Sequence, residues 1–194
     1  MAPARILIAE DETIIRLDLR AMLERAGFEI CAEARDGEDA VALARKVEPD
    51  LALLDVKMPK LDGIEAAKRL LSERPVPVVI VTAFPEQELV ERAVEAGVFG
   101  YVVKPFRREE LLAAVHTAQG RFAELQAVRA EASSLQEALE SRKIVERAKG
   151  LLMAKEGITE DDAYSRIRRA SQRTGRPMRA IADALVATLS GEPV

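Results

Sequence analysis

Leu51-Ala-Leu-Leu-Asp-Val-Lys-Met-Pro-Lys-Leu-Asp-Gly63 decides the fold. Four apolar residues end in a carboxylate, Asp55, and the chain then enters a loop marked by Pro59 and Gly63. An unbroken apolar run of strand length is the pattern of a strand buried on both faces, as in parallel sheets covered by helices. Similar runs recur at Ile6–Ala9, Phe28–Ala32, Val76–Val81 and Tyr101–Val103. Helical spacing separates them, as in Ile14, Leu17, Leu19, Met22, Leu23 and then Val41, Leu43, Ala44, Val47. Five strand–helix alternations predict an α/β domain built on a five-stranded, doubly wound parallel sheet and ending near residue 120.

The composition agrees with a folded, water-soluble chain. Of 194 residues 48% are hydrophobic and 32% charged, with a net charge of −4, which excludes a disordered or membrane class. No apolar run approaches the roughly 18 residues of a membrane span, and Glu10-Asp-Glu12 interrupts the start too early for a signal peptide. A cytoplasmic protein is expected. Cys31 is the only cysteine, so no internal disulfide can form, and its place in a strand predicts burial. The charge is unevenly spread: residues 1–140 carry 18 Lys and Arg against 26 Asp and Glu, whereas residues 141–194 carry 11 against 7. An acidic front is followed by a basic tail.

Ligands of doubly wound sheets bind beyond the carboxyl ends of the strands, at the topological switch point. Glu10, Asp11 and Glu12 follow the first strand, Asp55 ends the third, Thr82 and Ala83 follow the fourth, and Lys104 and Pro105 follow the fifth. Carboxylates gathered in one place repel each other, which raises a pKa or calls in a cation. A hard divalent ion with oxygen ligands answers that need, and Mg²⁺ characteristically takes one or two carboxylates, waters and a phosphoryl oxygen. Asp11 and Asp55 would bind it directly, Glu10 through water, and the main-chain carbonyl of Lys57 could complete the set. With the local charge neutralised, Asp55 can act as a carboxylate nucleophile toward a phosphoryl group. Lys104 can pair with the phosphoryl oxygens, and the Thr82 hydroxyl and Ala83 N–H can donate hydrogen bonds to them.

From Arg107 to Glu140 the pattern is helical, with apolar positions at Leu111, Val115, Ala118, Phe122, Leu125, Val128, Ala132, Leu135 and Leu139. Spacings of four and three alternate except for one three–three step at Leu125–Val128, which gives a coiled-coil-like seam with a phase slip. Gly120 and Ser133-Ser134 are its weak points. Two readings stand: a solvated connector helix packed on its own domain, or a dimer seam or long signalling helix. Beyond it, Ile144, Val145, Ala148, Leu151 and Leu152 mark a helix stopped at Gly157. Thr159-Glu-Asp-Asp162 caps a second helix carrying Ala163, Tyr164, Ile167 and Ala170, and Met178 to Leu189 forms a third. Three short helices predict a small all-α bundle in which Tyr164 sits in the core. The domains expected are 1–120, a connector at 121–140, and 141–190.

Residues 1–120 resemble the receiver domain of two-component response regulators. Ala9-Glu-Asp-Glu12, Asp55 to Gly63, Val81-Thr-Ala83 and Tyr101-Val-Val-Lys-Pro-Phe106 match its motifs in order and spacing. The resemblance implies a flavodoxin-like fold in which Asp55 accepts phosphate from a sensor histidine kinase and Glu10 and Asp11 hold Mg²⁺. Thr82, Tyr101 and Lys104 would couple phosphorylation to a conformational shift. Residues 141–190 resemble the ANTAR domain, an RNA-binding module of transcription antitermination regulators, on Ile144-Val-Glu-Arg-Ala-Lys-Gly-Leu-Leu-Met153, Gly157 to Tyr164, Ile167-Arg-Arg169 and Ile181-Ala182. This implies binding to RNA stem-loops, with Arg147, Lys149, Gly150, Arg168, Arg169 and Arg173 as candidate contacts. Ser171 and Gln172 depart from the more apolar family pattern.

The expected function is therefore phosphorylation-controlled RNA binding and antitermination, with dimerisation through the seam as one route of control. The chain is expected to be a regulator, not an enzyme, catalysing only its own phosphoryl transfer and dephosphorylation. The sequence leaves two other classes open. A hydrolase using Asp55 would want a second acid two residues on, where Lys57 stands; a DNA-binding regulator would use the tail as a helix-turn-helix variant. His116, the only histidine, is expected at the surface, without a phosphodonor role.

Overall fold

The computed structural model describes residues 3–83 and 87–190. Its elements in chain order are β1 (Arg5–Ala9), α1 (Thr13–Arg25), β2 (Glu29–Ala34), α2 (Gly37–Val47), β3 (Leu51–Asp55) and α3 (Gly63–Glu73). There follow β4 (Val78–Thr82), α4 (Gln87–Glu95), β5 (Gly100–Val103), α5 (Arg108–Glu156), α6 (Glu160–Thr174) and α7 (Met178–Ser190). The chain divides into two compact units, residues 1–126 and 127–194.

In the first unit five parallel strands form one sheet in the order β2-β1-β3-β4-β5. Alternate residues of each strand feed two cores. Ile6, Ile8, Leu51, Leu53, Val79 and Val81 pack with Leu19 and Leu23 of α1 and Leu111, Val115 and Ala118 of α5. Leu7, Ala9, Ala52, Leu54, Val78 and Ile80 pack against α2, α3 and α4. The apolar runs are unbroken because both faces are covered. The chain leaves β1 toward β2 on one side and returns past it to β3, so the crevice lies between the carboxyl ends of β1 and β3.

Side chains set the helix starts. Asp36 Oδ1 accepts from the Asp39 amide at 2.8 Å, Asp62 Oδ1 from the Glu65 amide at 2.7 Å, and Thr159 Oγ1 from the Asp162 amide at 3.2 Å. In the second unit Ala148 and Leu152 of α5 pack with Ala163 and Ile167 of α6 and Ala182 and Val186 of α7.

Several details differ from the reading of the sequence. The first of the three short tail helices is not a separate element; it is the last stretch of α5, which runs unbroken past Gly120 and Ser133-Ser134. Cys31 is half-buried, because β2 is an edge strand whose cover is incomplete. Burial still raises its thiol pKa. Tyr164 is not in the core: it is 43% exposed, because Ala163 and Ile167 supply the inward stripe of α6 and Tyr164 lies about 100° round the helix from Ala163. On α1, Ile14 and Leu17 point outward at 83% and 54% exposure, while Arg16 between them is buried. His116 is exposed, with its ring 5.7 Å from that of Phe28.

Candidate functional site

Three strand ends deliver the acids and the ammonium. Glu10 follows β1 and is wholly buried, Asp55 is the last residue of β3, and Asp11 is exposed at the mouth of the crevice. One carboxylate oxygen from each of Glu10, Asp11 and Asp55 lies within 4.8 Å of the others. Lys104, one residue beyond β5, reaches across with its Nζ 2.7 Å from Glu10 Oε2 and 3.2 Å from Asp55 Oδ1. Its place is fixed by the main chain, since the Lys104 amide donates to the Thr82 carbonyl at 2.7 Å. The peptide bond from Lys104 to Pro105 is cis.

The electrostatics follow from burial. Desolvation raises the pKa of Asp55, a shift that the charge and hydrogen bond of Lys104 only partly offset. Glu10 is likewise raised by desolvation, and further by the charge of Asp55, against the hydrogen bond from Lys104. For Lys104, burial works to lower the pKa, but its bonds and charge interactions with Glu10 and Asp55 win and raise it. Three carboxylates facing one ammonium leave a negative pocket of hard oxygens, a donor set that fits Mg²⁺.

The loop after β3 is pressed close to this pocket. The Gly63 amide donates to the Val56 carbonyl at 3.0 Å, and a Cβ on Gly63 would fall 1.9 Å from the main-chain oxygen of Asp55. Gly37 is as tightly placed, since a Cβ there would lie 2.3 Å from the Leu61 carbonyl oxygen. Lys60 Nζ, bonded to Asp36 Oδ2 at 2.7 Å, straps the loop to the start of α2. Only glycine permits these approaches, so Gly63 and Gly37 support the site although neither carries a functional group.

Thr82 is buried at the end of β4, Ala83 is exposed just beyond it, and Tyr101 of β5 is 54% exposed. Thr82 and Tyr101 share the lining of a partly open cavity of about 170 Å³ with Val56, Ala93, Val94 and Arg121. Lys57 is exposed in the loop after Asp55. Glu10, Asp11, Asp55, Lys57, Thr82, Ala83 and Lys104 thus lie at the carboxyl edge of the sheet, whereas Tyr101 stands further back on β5, paired with Ile80 in the middle of β4. Arg16, which lies beneath the β1–α1 corner, was missed, because a charged residue in a helical repeat does not announce burial.

The tail candidates are distributed differently. Lys149 is 7% exposed, and its Nζ is bonded to Glu146 at 2.8 Å and to Glu160 at 2.6 Å, which joins α5 to the start of α6. The same ammonium lies 6.0 Å from the centre of the Tyr164 ring. Gly150 is exposed with open space where a Cβ would stand. Arg147 and Arg168 are exposed. Arg169 and Arg173 join Arg166, Ile181 and Leu185 around a separate groove between α6 and α7. Among the described residues no carboxylate pairs with Arg168, Arg169 or Arg173 at salt-bridge distance.

A parallel 2-1-3-4-5 sheet with an acid pair, a strand-end aspartate, a threonine and a lysine at its switch point defines a receiver domain. The comparisons agree: the response regulator receiver domain model matches residues 6–116 and the ANTAR domain model matches residues 133–186. The chain belongs to the response regulators, and joins a receiver to an ANTAR domain, the RNA-binding module of transcription antitermination. It is 49% identical over 187 residues to the transcriptional regulatory protein PdtaR of Mycobacterium tuberculosis, covering 96% of this chain and 91% of that one. The chemotaxis protein CheY of Thermotoga maritima is 31% identical over 113 residues, 58% of this chain and 94% of its own. Among solved structures, the receiver domain of the response regulator NarL from Mycobacterium tuberculosis aligns with TM-score 0.60 and 30% identity, over 62% of this chain and 98% of that one. CheY from Borrelia burgdorferi, solved in a complex with CheX, BeF₃ and Mg²⁺, aligns with TM-score 0.57 and 29% identity, over 58% of this chain and 87% of that one. No helix among the described residues is long and apolar enough to cross a membrane.

Proposed function

We propose that the chain is a phosphorylation-gated RNA-binding regulator that takes its phosphoryl group on Asp55. The convergence of Glu10, Asp11, Asp55 and Lys104 carries this reading. Asp11, Asp55 and the Lys57 carbonyl would hold Mg²⁺, with Glu10 acting through water; the ion supplies neutralising charge to the incoming phosphoryl oxygens. An Asp55 carboxylate oxygen attacks the phosphorus of a phosphohistidine on a sensor kinase. The P–N bond breaks, a P–O bond forms, and the electron pair leaves with the imidazole. Lys104 turns from Asp55 to a phosphoryl oxygen, and Thr82 and the Ala83 amide donate to the others. Water attacking the same phosphorus later restores Asp55 and releases inorganic phosphate.

Exposed Ile14, together with Ile15, Pro105 and Phe106, lines a groove beside Lys104, which offers an apolar rest for the kinase helix that presents its histidine. Thr82 and Tyr101 act as the switch: the cavity they share can take the Tyr101 ring once Thr82 moves toward the phosphoryl group. In this reading residues 1–120 receive the signal, 121–140 form a seam, and 141–190 bind stem-loop RNA in the cytoplasm.

The seam is supported by exposure and charge. Leu111, Val115 and Ala118 are spent in the receiver core, whereas Val128, Leu135 and Leu139 are each about 60% exposed. The phase slip at Leu125–Val128 marks this change of partner. With Leu125, Ala132 and Leu139 at one seam position and Val128 and Leu135 at the other, Glu124 faces Arg129 of a second, parallel copy. An antiparallel pairing would instead oppose Glu131 to itself. In the tail, exposed Tyr164 near Lys149 supplies a ring for an unstacked loop base, with exposed Gly150 leaving room for close approach, Arg147 and Arg168 for the phosphates, and Arg169 and Arg173 on a second phosphate-facing groove.

The test is to incubate the protein with acetyl phosphate and Mg²⁺, map the modified residue, and repeat hairpin-RNA binding with modified and Asp55→Asn protein. Modification of Asp55 with tighter RNA binding is expected; modification elsewhere, or RNA binding indifferent to it, overturns the reading. Equal affinity for duplex DNA at matched salt would favour the DNA-binding alternative.

A further inference from the structure

The geometry points to Arg16 as a positioning residue that holds the acidic β1–α1 corner in the shape a divalent cation requires. This rests on the cation-site reading above. Arg16 is 5% exposed, and a buried guanidinium is expensive unless its donors are well used. Its Nη1 donates to the main-chain oxygen of Glu10 at 2.7 Å and reaches that of Asp11 at 3.5 Å. Nη2 lies 3.5 Å from Thr13 Oγ1, and Nε lies 3.4 Å from Glu33 Oε2 on β2. Glu33 is itself shared with Arg20, whose Nη1 is 2.8 Å away.

One nitrogen of the fork, Nη1, thus serves two consecutive peptide carbonyls, which belong to two of the proposed cation ligands, while Nη2 and Nε anchor the group to Thr13 and Glu33. Between β1 and α1 the chain has little else to hold it; the Glu10 amide bonds to the Ala34 carbonyl at 3.2 Å and the Glu12 amide to Glu10 Oε1 at 3.3 Å. Fixing the two carbonyls fixes the backbone torsions of Asp11, and hence where its exposed carboxylate points. A lysine could supply the charge but not the planar fork. Groups that orient ligands from behind typically change metal affinity about 10–100-fold when removed.

The sign of the effect separates positioning from charge. Removing a cation close to an acidic pocket would, by Coulomb's law alone, tighten divalent binding; loss of positioning must weaken it. The experiment titrates Mn²⁺ into full-length wild type, Arg16→Met, Arg16→Lys and Asp55→Asn and follows free Mn²⁺ by electron paramagnetic resonance. Circular dichroism melts establish that each variant is folded. We expect Arg16→Met to weaken Mn²⁺ binding about tenfold or more and Arg16→Lys to fall between it and wild type. If Arg16→Met does not fold, Arg16→Lys decides, with a several-fold loss expected. Variants that match wild type, or bind more tightly, overturn the inference while leaving the cation site intact. Wild-type binding that does not depend on Asp55 overturns the cation site itself, and the inference with it.

Discussion

The Lys104 ammonium lies 2.7 Å from Glu10 Oε2 and 3.2 Å from Asp55 Oδ1, so one side chain from the end of β5 neutralises acids from β1 and β3. It competes for the same oxygens that a divalent ion would take. Lys104→Met is therefore expected to bind Mg²⁺ more tightly, by about tenfold, which corresponds to removing about 1.4 kcal/mol of charge repulsion. Phosphoryl uptake should fall by about a hundredfold or more, because the group that meets the developing charge is gone. Calorimetry with Mg²⁺ and labelling from acetyl phosphate check the two halves; a variant that loses Mg²⁺ affinity contradicts the competition.

Gly63→Ala probes the close approach of α3 to the nucleophile. A methyl group 1.9 Å from the Asp55 carbonyl oxygen cannot be relieved by a side-chain rotation, because the obstacle is backbone. Overpacking of this kind costs about 1–3 kcal/mol or more, or a fall in Tm of roughly 2–10 °C for a chain of this size. Thermal melts measure it. Phosphorylation should slow as well, because the clash displaces the residue that bears the nucleophile.

Asp55→Asn should stabilise the metal-free protein at neutral pH. Burial raises the pKa of Asp55 above that of the unfolded chain, so the stability this group contributes is fully present below about pH 4 and lost as pH rises through the higher folded value. At pH 7 the wild type must carry an ionised, desolvated carboxylate that the amide replaces, while Lys104 keeps Glu10 as a partner. A gap of a few degrees in Tm at pH 7 in chelator, closing near pH 4, is expected from about 1 kcal/mol. Equal melting at pH 7 would contradict the assignment. Added Mg²⁺ should reverse the order by stabilising the wild type selectively.

Tyr164→Ala separates RNA contact from folding in the tail. At 43% exposure the ring contributes little to the α5–α6–α7 core, so the melt should barely move. Base stacking on an aromatic ring is worth about 1–3 kcal/mol, so affinity for hairpin RNA should fall roughly 5- to 150-fold, with Tyr164→Phe close to wild type. Binding curves at fixed salt decide this, and an unchanged affinity would place the loop base elsewhere.

Leu135→Glu tests the seam. A charge in the middle of the exposed stripe should hold the phosphorylated protein as a monomer by sedimentation, and charge reversal of both Glu124 and Arg129 should restore what either reversal alone disrupts.

Much of the receiver was legible because its chemistry sits at strand ends, where an apolar run stops and a polar residue must follow. Leu51 to Asp55 and Ile6 to Glu10 show both signals at once. Helix faces were less legible. On α1 the apolar spacing favoured Ile14 and Leu17, yet the corner of the fold buries Arg16 and leaves them outward, since backbone carbonyls beyond the helix start decide what is wanted there. The position of Tyr164 in the helical pattern suits the core, yet the smaller Ala163 is the residue that packs with Ala148 and Ala182. The continuity of α5 was also underread. Gly120 costs about 1 kcal/mol in a helix, but Ala, Glu, Gln, Leu and Arg, all good helix formers, fill most of the other positions.

The order of the sheet leaves β2 and β5 with one unpaired side each. An open strand edge invites a second chain to add to it, the first step toward fibrils. Here β2 presents Glu29, paired with Arg5 at 3.8 Å, and Glu33, held by Arg16 and Arg20. β5 is only four residues long and runs into Lys104-Pro105, where proline has no amide to offer. Both borders are thus protected against intermolecular sheet growth, and on the β2 side the guard is the same arginine cluster that braces the acidic corner.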